Sequence, residues 1–232
     1  MYYRRVINLS FFSFQESYFK SKTSVFSGNY HFSRVHEQWA RWIMSRYAPT
    51  NVLDVCCGYG FFLKAFDELG VVTIGVDISH HAIEAARSIT RASLFQRDLE
   101  RESIPCETGS VDVTFFVNSL EYFRDAQRIF SEIRRVLRPG GVLFFSDVNG
   151  GLLSRILNRN VQDRIACWHM RTPQQVKRVL KKARFLVTDS FPNGGPIEAC
   201  SKIIPWFLQK VFKGYACAVE PGYFMTFLAR AI

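Results

Sequence analysis

The chain has 232 residues, 48% of them hydrophobic and 22% charged, with a net charge of +10. That composition suits one globular core and excludes a disordered or collagen-like chain. No apolar run reaches the roughly 20 residues that a membrane-spanning helix needs, while the excess of Lys and Arg invites an anionic substrate, an anionic membrane or RNA.

In chain order, residues 1–30 are rich in Phe, Tyr and Ser without a period and read as an irregular arm that packs or acts as a lid. Arg4 and Arg5 before Val6–Phe14 imitate a weak leader, but no small-residue cleavage site follows. Val35, Trp39, Trp42, Ile43 and Tyr47 recur at helical spacing, which predicts a helix over 33–47 with Ser33 as its N-cap and Pro49 as its stop. Strand and helix then alternate: strand 51–56, helix 60–69, strand 72–77, helix 80–90, strands 93–96 and 111–117, helix 124–137, strand 140–147. Alternation of this kind predicts a mostly parallel sheet between helices, with ligands at the carboxyl ends of its strands. After a basic stretch at 152–171, Thr172 caps a helix that has Pro173 in its first turn and runs to Lys182. Arg184–Ser190 reads as a strand, 205–213 as a short helix, and Gly222–Ala231 as the last strand.

The 6 cysteines show no C-x-x-C spacing and no Cys/His cluster, so no metal site is expected; free thiols in a reducing cytoplasm are the simpler reading. Charge is unevenly placed: residues 51–150 are net acidic and both flanks are basic. A basic rim suits an anionic partner, and a solvated surface is the plainer alternative.

Most of the chemistry lies in Val52-Leu53-Asp54-Val55-Cys56-Cys57-Gly58-Tyr59-Gly60, followed by a second acid, Asp77, after another apolar run. Gly58 and Gly60 admit backbone close to a ligand, and the following helix offers free N–H groups. An acid about 20 residues past the glycines can accept hydrogen bonds from a ribose. A dinucleotide fingerprint requires G-x-G-x-x-G, but Leu63 stands at its third glycine. Asp54 would repel a pyrophosphate and suits a ligand with a cationic end.

This turn resembles motif I of class I S-adenosylmethionine-dependent methyltransferases, usually D-x-G-x-G-x-G, with Cys56 where the first glycine usually stands. Further similarity follows in order: Val72–Ser79, Leu94–Leu99, Ser110–Tyr122 and Ile133–Phe145 resemble the later strands and loops of that family, type 11-like, over about 50–148. The resemblance implies a Rossmann-like seven-stranded mostly parallel sheet with helices on both faces, its last strand antiparallel between the fifth and sixth. It implies one methyltransferase domain over 1–232: a cap (1–48), a cofactor core (49–150), and substrate-side insertions with the C-terminal strands (151–232). The implied cofactor is S-adenosyl-L-methionine, leaving S-adenosyl-L-homocysteine. Its expected contacts are Asp54, Cys57, Gly58, Tyr59, Gly60, Asp77, Ile78, Asp98, Leu99 and Asn118. Asp98 has a second reading as a partner of Arg97, and Asn118 as a turn former.

Candidate catalytic residues are Glu121, Tyr122 and His169. The family often has Glu-His where Glu121-Tyr122 stands, and similar enzymes often carry a histidine near position 169. His31 is a further candidate in the arm, while His80 and His81 read as a helix start. Trp206-Phe207-Leu208 with Val211 and Phe212, beside Lys210 and Lys213, reads as a lid over an apolar substrate, a peripheral membrane contact, or core. The expected activity is methyl transfer to a small-molecule or lipid-like acceptor that can carry an anionic group. RNA methylation is the alternative, without the N-P-P-Y-type tetrapeptide of amino-group methylation. A catalytically silent cofactor-binding partner protein is a third reading, and a nicotinamide-dependent dehydrogenase the last.

Overall fold

A computed structural model describes residues 30–148, 150, 169–192 and 224–232. The predicted arm, the helix at 205–213 and the aromatic surface around Trp206 lie outside the described residues. The elements are α1 (Tyr30–Tyr47), β1 (Asn51–Val55), α2 (Phe61–Asp67), β2 (Val72–Asp77), α3 (His80–Arg87), β3 (Ser93–Gln96) and β4 (Val111–Val117). A 3-10 turn (Leu120–Tyr122), α4 (Ala126–Val136), β5 (Leu137–Val148), α5 (Pro173–Lys182), β6 (Phe185–Pro192) and β7 (Phe224–Ala231) follow.

The seven strands form one sheet in the order β3-β2-β1-β4-β5-β7-β6. Strands β1 to β5 pair in parallel, and β7 is antiparallel to both neighbours. The order reverses between β1 and β4, and open α/β sheets bind ligands at such a switch point.

Period-two alternation explains why both faces are covered. On β4 and β5 the paired phenylalanines Phe115-Phe116 and Phe144-Phe145 point to opposite faces. Phe115 and Phe144 meet Phe62 of α2 and Trp39 of α1 on one side. Phe116 and Phe145 meet Phe130 of α4 on the other, where Phe145 also stacks on Phe227 of β7. Each such ring removed from water stabilises the fold by roughly 1.5–3 kcal/mol. Gly75 allows the close approach of layers beside β2. A Cβ there would lie 2.5 Å from Leu63 Cδ1 and 2.7 Å from Leu94 Cδ2.

Most boundaries match the sequence expectations within a few residues. Helix α1 begins at Tyr30, so Ser33 lies inside it and is not its N-cap. Helix α4 begins one residue after Asp125, whose side chain accepts the Arg128 N–H. The Thr172 cap forms as expected, with Gln175 completing a capping box. Among the described residues, no helix is long and apolar enough to cross a membrane.

At the end of the sheet away from the switch-point loops, Asp112 joins three segments. Its carboxylate accepts Thr50 N–H and Oγ1–H, each at 2.7 Å, Asn51 N–H at 3.2 Å, and the Arg138 guanidinium. Burial pushes the carboxyl up, but these donors outweigh it and hold it below its usual 3.8. A depressed carboxyl contributes stability above the unfolded value and loses it as pH falls through the folded one. Asp112→Asn is expected to cost about 1–3 kcal/mol near pH 7. Denaturant unfolding should show the gap from wild type narrowing as pH drops below 3.8.

Candidate functional site

The site is built at the carboxyl ends of β1, β2 and β4. After Val55 the chain turns through left-handed backbone at Cys56 (φ 61°), Gly58 (φ 51°) and Gly60 (φ 77°). A non-glycine residue at Cys56 takes a conformation glycine adopts without strain. That is the departure from the family motif, and the turn forms regardless. Gly60 has a second constraint, because a Cβ there would sit 3.0 Å from Ala86 Cβ on α3. The turn is tied down by Cys57 N–H to Val76 O at 3.1 Å and Gly60 N–H to Cys57 O at 2.9 Å.

Asp77 links this turn to the next. Its Oδ2 accepts Gly58 N–H and its Oδ1 accepts Ser79 N–H, each at 2.8 Å. Ser79 in turn caps α3 by accepting Ala82 N–H. Burial raises the Asp77 carboxyl, and these backbone donors only partly offset it. Asp54, 4% exposed on β1, is raised further, by burial and then by the charge of Asp77. Burial, then the acids Asp77, Asp54 and Glu121, keep the Cys56 thiol protonated, with Ser119 opposing through a hydrogen bond. Cys57 is raised likewise, by burial and then by Asp77 and Asp54. Two glycines in left-handed backbone beside such a group of buried acids fit a ligand that brings a positive charge and needs close backbone approach.

The remaining expected contacts lie in the segments that follow β1, β2, β3 and β4. Ile78 accepts Gln96 Nε2 at 3.1 Å through its carbonyl. Tyr59 reaches across to α3, its hydroxyl 3.2 Å from His81 Nε2, so His81 does more than open the helix. Asp98 holds its own turn by accepting Glu100 N–H and pairs with Arg101 at 3.6 Å. The alternative pairing with Arg97 is corrected, since Arg97 faces Glu102 at 3.5 Å. Leu99 is buried in the core. Asn118 stands in left-handed backbone (φ 50°), tied by its N–H to Ser146 O at 2.8 Å. Its buried Oδ1 has no hydrogen-bond partner among the described residues.

Beyond Asn118 lies a tight crevice that does not admit a water molecule, lined by Leu120, Glu121, Asp147, His169, Met170, Arg171 and Met225. The backbones of two candidate catalytic residues meet here: the main-chain N–H of His169 donates to the main-chain carbonyl of Glu121 at 3.3 Å. Glu121 is 5% exposed, and its Oε2 lacks a hydrogen-bond partner among the described residues. Burial, then the cations of Arg171 and Arg124, hold the His169 imidazole below its usual value, with Glu100 opposing. Tyr122 is half-buried on the same turn but does not line the crevice. Sequence reasoning missed Asp147, which accepts Leu120 N–H at 2.7 Å, and Arg171. An acid at the end of an apolar strand was the available signal for Asp147; Arg171 had none. No group of acids, cysteines and histidines among the described residues could hold a metal ion.

Residues 53–145 match the family described as methyltransferase domain. The ubiquinone biosynthesis O-methyltransferase of Idiomarina loihiensis is 30% identical over 147 residues, covering 60% of each chain. Its counterpart from Thiobacillus denitrificans is 32% identical over 123 residues, 50% of this chain and 53% of the relative. The chain thus matches between about half and 60% of the length of these curated relatives. Among solved structures, an S-adenosylmethionine-dependent methyltransferase from Mesorhizobium loti superposes with a TM-score of 0.65 at 20% identity, covering 83% of this chain and 96% of that one. The matched segment, the strand order and the acid-bearing glycine turn agree: residues 53–145 match a methyltransferase domain, set in a sheet with the fold of the Mesorhizobium loti enzyme.

Proposed function

We propose that the chain transfers a methyl group from S-adenosylmethionine to a hydroxyl of a small, apolar or lipid-like acceptor. One observation carries this reading: buried acids converge on the glycine turn, and Glu121 joins that group to a crevice that also holds His169. Asp54 would hold the cationic amino acid end of the cofactor, Asp77 its ribose, and the left-handed turn at Gly58–Gly60 the backbone approach. The side chain of Asn118, with an open acceptor, would complete the rim. When bound, the cofactor supplies a methyl group already activated by a sulfonium, which becomes a neutral thioether as the methyl departs.

The chain's own residues then orient the acceptor, exclude water and take one proton. As the methyl is transferred, the acceptor's O–H proton would pass to the Glu121 carboxylate or the His169 imidazole, and from there to solvent. A lowered histidine is neutral near pH 7 and so has a lone pair ready. Leu120, Met170 and Met225 give the crevice apolar walls. Arg171 is the one Lys or Arg among the described lining residues, and its four terminal N–H bonds go to backbone carbonyls. Glu121 and Asp147 line the same crevice, so a neutral reacting end is expected there, with any acidic group of the acceptor lying away from it.

The names of the curated relatives support an oxygen acceptor. The free thiols of Cys56, Cys57 and Cys106 fit a cytoplasmic setting. The flanks 1–48 and 151–232 would shape the acceptor side of a single domain. RNA remains the rival acceptor on the strength of the basic flanks.

Calorimetry should give an S-adenosylhomocysteine Kd on the order of micromolar, with Asp77→Ala weaker by at least about tenfold and NAD not binding. Binding should also expel a proton wherever Asp54 is protonated in the free protein, because a ligand ammonium lowers the raised carboxyl. Affinity would then rise with pH through that range, and titrations in two buffers of different ionisation heat would count the proton. No binding to folded protein would overturn the cofactor assignment.

Glu121→Gln should lower kcat by about 100-fold or more while leaving S-adenosylhomocysteine affinity within about twofold. The assay follows labelled methyl into a panel of phenols bearing apolar tails and into RNA. Label on RNA alone would replace the small-acceptor reading with its rival.

A further inference from the structure

Arg171 sits where the chain returns to the acceptor crevice. Immediately after it, Thr172 and Gln175 close the capping box of α5, so its backbone is fixed to a helix. Gly150 N–H donates to Arg171 O at 2.9 Å, and a Cβ on Gly150 would lie 2.8 Å from Arg171 N and Met170 C. The end of β5 is thereby pressed against the same backbone.

From this base the guanidinium reaches the loop after β4. Nη1 donates to Leu120 O at 3.1 Å and to His169 O at 2.9 Å. Nη2 donates to Phe123 O at 3.0 Å and to Arg124 O at 3.1 Å. These acceptors bracket Glu121 and include the carbonyl of His169. Asp147 holds the other side of the loop through Leu120 N–H. A planar fork with fixed donors can serve four spread carbonyls at once, and a lysine ammonium cannot.

We propose that Arg171 is the positioning residue of the acceptor site, holding the loop of Glu121 against the segment of His169 through N–H donors that are spent on backbone carbonyls. The proposal rests on the acceptor-site reading above. It predicts two separable effects. The first is geometric: loosening the loop misplaces Glu121 and His169 while leaving the glycine turn and Asp77 untouched. The second is electrostatic. The groups facing His169 are the cations Arg171 and Arg124, the anion Glu100, and the carboxyls of Glu121 and Asp147 in the same crevice. Removing the charge of Arg171 leaves the anions less opposed, which favours the imidazolium.

The test compares Arg171→Lys and Arg171→Gln with wild type, using steady-state kinetics, S-adenosylhomocysteine calorimetry and an NMR titration of the His169 Cε1–H. Both variants are expected to lower kcat by about 10-fold to 100-fold with cofactor affinity within about twofold. Arg171→Gln should raise the His169 midpoint and carry the acidic limb of the rate profile upward with it, while Arg171→Lys leaves the midpoint near wild type. Variants that melt earlier but keep kcat and the His169 midpoint would overturn the proposal, because the arginine would then be only a structural tie. Equal losses of kcat and cofactor affinity would overturn it too. Should wild type methylate nothing yet bind S-adenosylhomocysteine, the functional reading fails while the NMR arm still decides this one: an upward shift in Arg171→Gln upholds the placement, and no shift overturns it.

Discussion

Everything at the switch point depends on one buried carboxylate bonded to two loops. Asp77 accepts an N–H from Gly58 with one oxygen and from Ser79 with the other, at 2.8 Å each. Without it, two donors would lose their partner inside a buried loop junction, and each such loss costs about 1–3 kcal/mol. The glycine turn and the start of α3 therefore keep a fixed separation set by one side chain. The parallel pairing of β1 with β2 fixes where Asp54 lies relative to Asp77.

The same arrangement has an electrostatic cost in the free protein. Asp54 and Asp77 are both buried, and each like charge disfavours the other. Asp77 is partly relieved by its backbone donors; Asp54 is held higher, with burial as the main cause. The two acids also stand differently, for Asp77 ends β2 whereas Asp54 precedes the last residue of β1 and pairs with Gly75. One is a structural acceptor with lone pairs to spare, and the other is a buried carboxyl that, on the proposed reading, faces the cationic end of the ligand. On that reading, a cationic ligand would offset the burial penalty of Asp54 once the carboxyl has given up its proton.

The fold was largely legible because its signals are local. Apolar runs ending in Asp54, Asp77 and Asn118 mark strands whose ends face the ligand side. Thr172-Pro173-Gln174-Gln175 marks a helix start that the capping box realises. Ser33 misled because a hydroxyl in a periodic segment looks like a cap, whereas α1 already starts at Tyr30. Arg97 misled because adjacency in sequence is not adjacency in space: neighbouring side chains on an extended segment diverge, and Arg101 reaches Asp98 from the next turn instead. The turn at Cys56 was legible in type but not in angle, since only coordinates reveal that a cysteine holds a left-handed position.

The acceptor side was much less legible, and for a physical reason. The cofactor side needs particular side chains and glycines within a few residues of one another, so it leaves a motif. The crevice is assembled from residues 120–121, 147, 169–171 and 225, and the placement of its loop is set by backbone carbonyls and one guanidinium. Any residue supplies a carbonyl, so the segments that Arg171 grips carry no mark of being gripped. Only the arginine and the acid of Asp147 are specified by type, and each lies far from Glu121 along the chain. Acceptor geometry in such a fold is therefore a long-range property of backbone, read through a single cation, while cofactor geometry is a short-range property of side chains. That difference also separates their failure modes. A change in the glycine turn alters what binds, and a change at Arg171 alters how well the bound groups are aligned.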